Sequence, residues 1–121
     1  MEWDVIYYEK ENGEMPVFDF IASLSKKQQA KALWEIRLLA ENGMALREPY
    51  AKSIQGERYK GLFELRIQQG GDISRIFYFL PIGNTFILLH GFVKKTNKTP
   101  SRELETALRY MQDYIRRFGE K

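Results

Sequence analysis

Three apolar runs separated by two glycine-containing turns occupy the middle of this chain, and they limit the folds that it can adopt. Residues 62–68 alternate between apolar and polar side chains, and Gly70-Gly71 follows them as a two-residue hairpin turn. Residues 73–80 form the second run, which a proline- and glycine-containing turn ends, and residues 85–93 form the third. We therefore predict a three-stranded antiparallel meander whose third strand is central.

Helices are predicted on both sides of this meander, after a short first strand. Residues 3–8 are rich in aromatic and β-branched side chains, which is typical of a strand. Pro16 suits the first position of a short helix, and Ser25 with Gln28 matches a capping box at the start of a second helix. Thr99 is expected to cap the last helix, with the proline after it at the first helical position.

The element order of strand, two helices, meander and helix indicates an α+β fold with a twisted, largely antiparallel sheet. Residues 44–61, between the second helix and the meander, are predicted to be irregular because proline and glycine punctuate them. A length of 121 residues fits one domain, which we place over residues 1–121.

Composition excludes several classes of protein. The chain has no cysteine and one histidine, so we predict neither a disulfide framework nor a metal site, and no cofactor. No apolar run approaches the roughly 18–20 residues of a membrane span. The acidic start of the chain lacks the basic region of a signal peptide. We therefore expect a cytoplasmic protein without a membrane partner.

Cations gather in one stretch of the chain although the net charge is only +3. Residues 90–100 contain the single histidine, three lysines and no acid, and they lead from the end of a strand to the start of a helix. Residues 1–15 carry five acids, Glu2 among them, against one lysine. This segregation favours an anionic partner at one end of the fold, and a group of this kind is suited to phosphate.

The two predicted turns also determine which side chains face each other across the sheet. Counting outward from them places Arg66 opposite Arg75 and Arg75 opposite His90, in one cross-strand row. Like charges directly opposite each other destabilise a sheet, so this row requires an acid or an anionic ligand. Glu64 points to the same face as Arg66, and pairing with Glu64 is the structural alternative to an anion site.

Several segments together resemble a HigB-type toxin, a phage-related branch of the RelE/ParE superfamily of type II toxin–antitoxin systems. They are residues 62–66, 75–79 and 89–100, followed by Glu103, Glu105, Ala107 and Arg109 in the last helix. The resemblance covers nearly the whole chain and keeps the element order. It implies a RelE-like domain and a ribosome-dependent endoribonuclease that cuts translated mRNA. It also implies a cognate helix-turn-helix antitoxin, which neutralises the toxin and carries it to operator DNA.

The resemblance extends to individual positions. Arg75 matches the superfamily arginine of the middle strand, Arg66 matches the arginine of a Glu-Leu-Arg motif, and Lys95 or Lys94 matches the basic position after the last core strand. The chain departs from RelE-like members where they have lysines on the strand of Arg66. The proton-transfer groups therefore stay open at this point.

Two groups of candidate site residues follow. The candidate catalytic residues are those expected to converge at one end of the sheet: Arg66, Arg75, His90, Lys94 and Lys95. The candidate RNA- or phosphate-binding residues are other basic and polar side chains of the neighbouring loops: Lys52, Arg58, Lys60, Asn97 and Lys98. In this interpretation the arginines bind the scissile phosphate, Lys94 or Lys95 accepts the proton of the 2′-hydroxyl, and His90 or a lysine protonates the leaving oxygen.

Two other functions remain open at this point. One is a non-catalytic, ParE-like inhibitor of a protein target such as gyrase, because a shared fold does not determine activity. The other is an inactive toxin that persists as an RNA-binding or operon-regulating module.

Overall fold

A computed structural model of the chain describes residues 3–119. Met1, Glu2, Glu120 and Lys121 lie outside the described residues, so Glu2, one of the five acids predicted to segregate at the start of the chain, is not described. The strands are β1 (Asp4–Tyr7), β2 (Ala51–Ser53), β3 (Phe63–Gln69), β4 (Asp72–Ile82) and β5 (Thr85–Val93). The α-helices are α1 (Pro16–Ala22), α2 (Lys26–Asn42) and α3 (Ser101–Phe118), and single 3₁₀ turns lie at Gly43–Ala45 and Glu57–Tyr59.

The strands form one sheet in the order β1-β5-β4-β3-β2. Strand β1 runs parallel to β5, and every other neighbouring pair is antiparallel. The predicted α+β fold, with its meander and its C-terminal helix, is confirmed. Strand β5 is an interior strand as expected, although the middle position belongs to β4.

Two apolar cores lie on opposite faces of this sheet. Helices α1 and α2 contribute to the first core, in which Leu39 packs with Ile76 and Phe86. Helix α3 closes the second core, in which Ala107 packs with Phe77. Successive residues of β4 therefore alternate between the cores, as a strand covered on both faces requires.

The helix signals of the sequence are mostly confirmed. Pro16 begins α1, and Ser25 and Gln28 form a reciprocal capping box at the start of α2. The expected cap of the last helix is wrong, because α3 begins at Ser101 with Pro100 in the cap position and no side-chain cap bond. No helix within residues 3–119 combines the length and the apolarity needed to cross a membrane. The cytoplasmic location stays a prediction.

One strand lies where irregular chain was expected. Within residues 44–61, Ala51–Ser53 forms β2 and pairs antiparallel with the first residues of β3. Three residues are too few for an alternating pattern to be recognised in a sequence. Strand β2 begins next to the middle of β3, where the amide of Arg66 donates to the carbonyl of Tyr50, the residue before β2, at 2.7 Å.

The predicted register is correct between β3 and β4 and wrong between β4 and β5. Arg66 lies opposite Arg75, but Arg75 lies opposite Phe92, and His90 lies opposite Phe77. Strand β4 extends to residue 82, beyond the expected end of the strand, so each residue of β4 pairs with a different residue of β5 from the one predicted. The ladder is irregular between residues 79 and 82, and an irregular ladder accommodates a proline that has no N–H to donate.

Candidate phosphate-binding site

A buried carboxylate lies between two arginines on adjacent strands. Glu64 Oε2 lies 3.5 Å from Nε of Arg66 and 3.6 Å from Nε of Arg75. The two arginines face each other directly across β3 and β4. The alternative of pairing with Glu64 is therefore present in the structure, but one carboxylate serves two guanidinium groups. The trio retains a positive charge, which an anionic ligand can neutralise.

Arg75 lies beneath the surface with its guanidinium oriented by neighbouring groups. It is only 6% exposed, and its Nη1 donates to the carbonyl of Ser74 at 3.0 Å. Burial lowers the pKa of Arg75, Glu64 opposes this shift, and the neighbouring charge of Arg66 adds to it. A guanidinium that is already desolvated and fixed in orientation is preorganised to bind a phosphate oxygen.

Lys94 completes the charged group at the end of β5. Its backbone amide donates to the carbonyl of Ile73 at 2.8 Å, which extends the pairing of β5 with β4 by one residue. Burial lowers the pKa of Lys94, and the nearby cations of Arg75, Arg66 and Lys52 lower it further against an opposing effect of Glu64. We call these five residues the arginine cluster: Lys52, Glu64, Arg66, Arg75 and Lys94.

Replacing Lys94 by glutamine is expected to stabilise the fold at pH 7. The folded protein holds the Lys94 proton less tightly than the unfolded chain does, so the charged lysine reduces stability below its folded pKa. This penalty disappears as the pH rises from the lowered pKa to the ordinary value of 10.5, so the advantage of the variant should shrink over that window. Urea unfolding at several pH values measures it.

Lys95→Gln is the matched control, because it makes the same change of charge on the exposed neighbour. An advantage of Lys94→Gln that stays constant from pH 7 to above pH 10 would contradict a lowered pKa of the half-buried Lys94.

His90 lies on the same face of the sheet as the arginines but is engaged elsewhere. Its Nε2 lies 2.7 Å from Oε1 of Glu103 on α3, and its ring packs near Phe77 and Phe92. In the sheet, His90 pairs with Phe77, one cross-strand row away from the pair of Arg75 and Phe92. Within residues 3–119, no three His, Cys, Asp or Glu side chains are arranged to hold a metal ion.

The second group of candidate residues divides in two. Lys52, Lys60, Asn97 and Lys98 are exposed, and so is Lys95. Arg58 is instead bound to α3: its Nε and Nη2 donate to the carboxylate of Glu105 at 2.7 and 2.6 Å, and the hydroxyl of Tyr59 donates to the same carboxylate. Hydrogen bonds from Arg58 and Tyr59 lower the pKa of Glu105 to about 2.

A cavity of about 300 Å³ opens beside the arginine cluster. Its walls come from α2, from the segment before β2 and from β3 and β4, and they are formed by Lys31, Glu35, Pro49, Tyr50, Arg66, Gln68 and Arg75. Sequence reasoning missed the two α2 residues, although one signal was present. Glu35 lies three positions after Ala32 and four before Leu39, so it interrupts the buried stripe of α2 with a carboxylate.

The chain was compared with known proteins. Residues 19–112, more than three quarters of the chain, match the family described as Phage derived protein Gp49-like (DUF891). The matched segment runs from α1 into α3 and includes the whole arginine cluster. A comparison with curated proteins finds no match. The extent of the family match leads to one conclusion: the chain belongs to the phage-derived Gp49-like proteins, a family of RelE-like toxins of toxin–antitoxin systems.

Proposed function

We propose that this protein is a HigB-type toxin that cuts mRNA on translating ribosomes in the cytoplasm. The observation that carries the proposal is the pair of arginines on facing positions of β3 and β4, both within 3.6 Å of the single carboxylate Glu64. Facing cations with too little counter-charge are suited to a ligand with several anionic oxygens. A phosphodiester of RNA is such a ligand, and the family match supports a toxin.

The chemistry is attack of a 2′-hydroxyl on the adjacent phosphorus, with departure of the 5′ oxygen of the next nucleotide. Negative charge develops on the phosphorane oxygens as the attacking bond forms. Arg66 and Arg75 stabilise this charge, because two guanidinium groups offer several N–H donors to one phosphate. Donors that are fixed before the reaction stabilise a transition state more than donors that must reorganise.

Lys94 is the general base in this proposal. Its lowered pKa increases the fraction of neutral amine near pH 7, and a neutral amine can accept the 2′ proton. Lys95 and His90 are the two candidate acids for the leaving 5′ oxygen. Lys95 follows Lys94 on the chain and is exposed, whereas His90 is paired with Glu103. Loss of cleavage in Lys95→Met but not in His90→Gln would assign the acid to Lys95, and the reverse result would assign it to His90.

The exposed residues Lys52, Lys60, Asn97 and Lys98 would hold the RNA backbone on either side of the scissile phosphate. Arg58 joins them only when RNA displaces Glu105 from its guanidinium. The ribosome supplies the strand in a reactive conformation. A cognate helix-turn-helix antitoxin neutralises the toxin, and operator DNA is bound through the antitoxin.

Mapping the 5′ ends of mRNA after induction of the protein tests this proposal. New ends within translated regions are expected, and they should be absent when the same mRNA and protein are mixed without ribosomes. Intact mRNA accompanied by loss of DNA supercoiling activity would favour the gyrase-type inhibitor instead. Unchanged growth and unchanged mRNA would favour the inactive, operon-regulating module.

A further inference from the structure

Two buried polar atoms in the described part of the chain have no hydrogen-bond partner, and their residues share one cavity. They are Oε1 of Glu35 and Nε of Arg75. Buried polar groups in folded proteins are nearly always hydrogen-bonded, and each exception destabilises the fold. One of these atoms is an acceptor and the other a donor. Nε of Arg75 faces Oε2 of Glu64 at 3.6 Å, which is too long for a hydrogen bond. A ligand bound by both residues must therefore carry an acceptor for the guanidinium of Arg75, which an anionic group supplies best, and an N–H donor for Glu35.

The cavity has room for such a ligand. Its volume of about 300 Å³ is at the lower end of the range of small-molecule sites. Arg66 and Arg75 line one side of it, and Glu35 with Lys31 lines another. The arginines on one wall can thus bind the anionic part of a ligand while Glu35 on another wall accepts a hydrogen bond from its N–H donor.

An aromatic surface adjoins the same cavity. Tyr50 lines the cavity and is exposed, and its ring stands edge-on to the exposed ring of Trp34, with 6.3 Å between the ring centroids. Lys31 Nζ lies 4.2 Å from the centroid of Trp34 and 3.4 Å from Glu35 Oε2. Exposed aromatic rings beside a cationic site are the usual platform for unstacked RNA bases.

We propose that this cavity binds one nucleotide of the RNA, with its phosphate on Arg66 and Arg75, its base against Tyr50, and an exocyclic amine of the base donating to Glu35. This inference rests on the proposed function and deepens it by giving the site a preference among bases. Adenine, cytosine and guanine carry an exocyclic amine. Uracil presents two carbonyl oxygens beside its single N–H, and these oxygens repel a carboxylate.

Glu35 meets the base after a small movement. Its Oε1 is buried, so the carboxyl group turns about its terminal torsion to present an oxygen to the cavity. Burial raises the pKa of Glu35 and Lys31 opposes the rise, so a donated hydrogen bond from a base amine favours the ionised form. The exocyclic amine of the nucleotide thereby gives the carboxylate of Glu35 the hydrogen bond that its Oε1 lacks in the free protein.

Trp34 fluorescence provides a direct test with the whole protein. The probes are the four ribonucleoside 3′-monophosphates, and their binding should quench the emission in a saturable way that Trp34→Phe abolishes. The adenosine, cytidine and guanosine nucleotides should bind about tenfold more tightly than the uridine nucleotide, in the range of one good base contact. Tyr50→Ala should weaken binding of all four by about tenfold, as loss of a stacking partner does.

Glu35→Met should bring the four affinities to within about twofold of one another, because it removes the acceptor and leaves the stacking surface. The variant should also unfold at no lower urea concentration than the wild type, since it replaces an unpaired buried carboxylate with an apolar side chain. Phe118→Ala is the control for Tyr50→Ala and should leave all four affinities unchanged, because Phe118 is a 64% exposed aromatic residue on α3 that does not line this cavity. Absence of binding by the wild type, or identical affinities in Glu35→Met and the wild type, would overturn the inference.

Cleavage mapping separates this inference from the proposed function. If Arg75→Ala abolishes ribosome-dependent cleavage but Glu35→Met leaves the base preference at the cut sites unchanged, the nucleotide pocket is wrong and the nuclease stands. If the wild type makes no cuts, the nuclease is wrong, whatever the protein binds.

Discussion

Replacing Arg75 with alanine is expected to lower the rate of the proposed mRNA cleavage by at least about 100-fold and to abolish the growth arrest that the proposed function predicts. Arg75 is the most deeply buried cation of the arginine cluster, and Glu64 and the carbonyl of Ser74 fix its orientation. In the proposed mechanism, water therefore screens the interaction of this charge with the phosphorane only weakly. Primer extension on a ribosome-bound message, at matched protein concentration, measures the loss.

Two further variants separate the chemistry from the fold. Arg75→Lys keeps the charge but cannot donate two parallel hydrogen bonds, so it should recover only a small part of the activity. Arg102→Ala removes a cation whose side chain is 82% exposed at the start of α3, and it should retain wild-type cleavage. Full activity of Arg75→Ala with an unchanged unfolding curve would remove Arg75 from the site.

Arg75→Ala also has a structural cost that must be measured. It leaves the buried carboxylate of Glu64 with Arg66 alone, and removal of one partner from a buried charged pair is expected to lower the free energy of unfolding by about 1–3 kcal/mol. The loss of cleavage should persist at temperatures where urea titration shows the variant to be fully folded.

The pairing of the two arginines could be predicted because a local signal determines it. Gly70 and Gly71 form the two-residue turn that the sequence indicates, and Gln69 faces Asp72 as a result. Every pairing further along β3 and β4 then follows by counting. The capping box at Ser25 was predictable for the same reason, since its partners lie three residues apart.

The predicted position of His90 is wrong because its turn was centred one residue too early, whereas the cavity could not be predicted because distant parts of the chain form its walls. Ile82 pairs with Thr85, so the turn before β5 is Gly83-Asn84, one residue later than the Ile82-Gly83 turn from which the predicted register was counted. Counting outward from Gly83-Asn84 places His90 opposite Phe77, as in the structure. The walls of the cavity combine Glu35 from α2 with Arg66 from β3, which lie 31 positions apart in the sequence. Their proximity depends on the packing of α2 against the sheet.

The candidate site combines residues brought together by strand pairing with residues brought together by tertiary packing. Strand pairing brings like charges together at Arg66 and Arg75, and Glu64 moderates the repulsion enough for the sheet to form. Tertiary packing then places Tyr50 and Glu35 beside the arginines, a proximity that no spacing in the sequence indicates. The proposed phosphate binding therefore depends on local strand pairing, whereas the proposed base preference depends on the tertiary fold.

Substitution of Gly91 by alanine is expected to lower the free energy of unfolding by about 1–3 kcal/mol, which is typical of overpacking. Gly91 lies on β5 between His90 and Phe92, and helix α1 approaches its backbone so closely that an added Cβ would overlap with Cδ2 of Phe20. The chain or the Phe20 ring must shift to relieve this contact. Urea unfolding of the variant measures the cost.

A double-mutant cycle and a matched glycine show whether contact with Phe20 is the cause. In a Phe20→Ala background the added methyl group has space, so Gly91→Ala should then cost at least about 1 kcal/mol less than it does in the wild type. Gly71→Ala makes the same change where no heavy atom lies within 4 Å of the new Cβ, and it should alter stability by no more than about 0.5 kcal/mol. Equal costs of Gly91→Ala in both backgrounds would mean that contact with Phe20 is not the source of the loss of stability, and that the backbone of β5 is responsible instead.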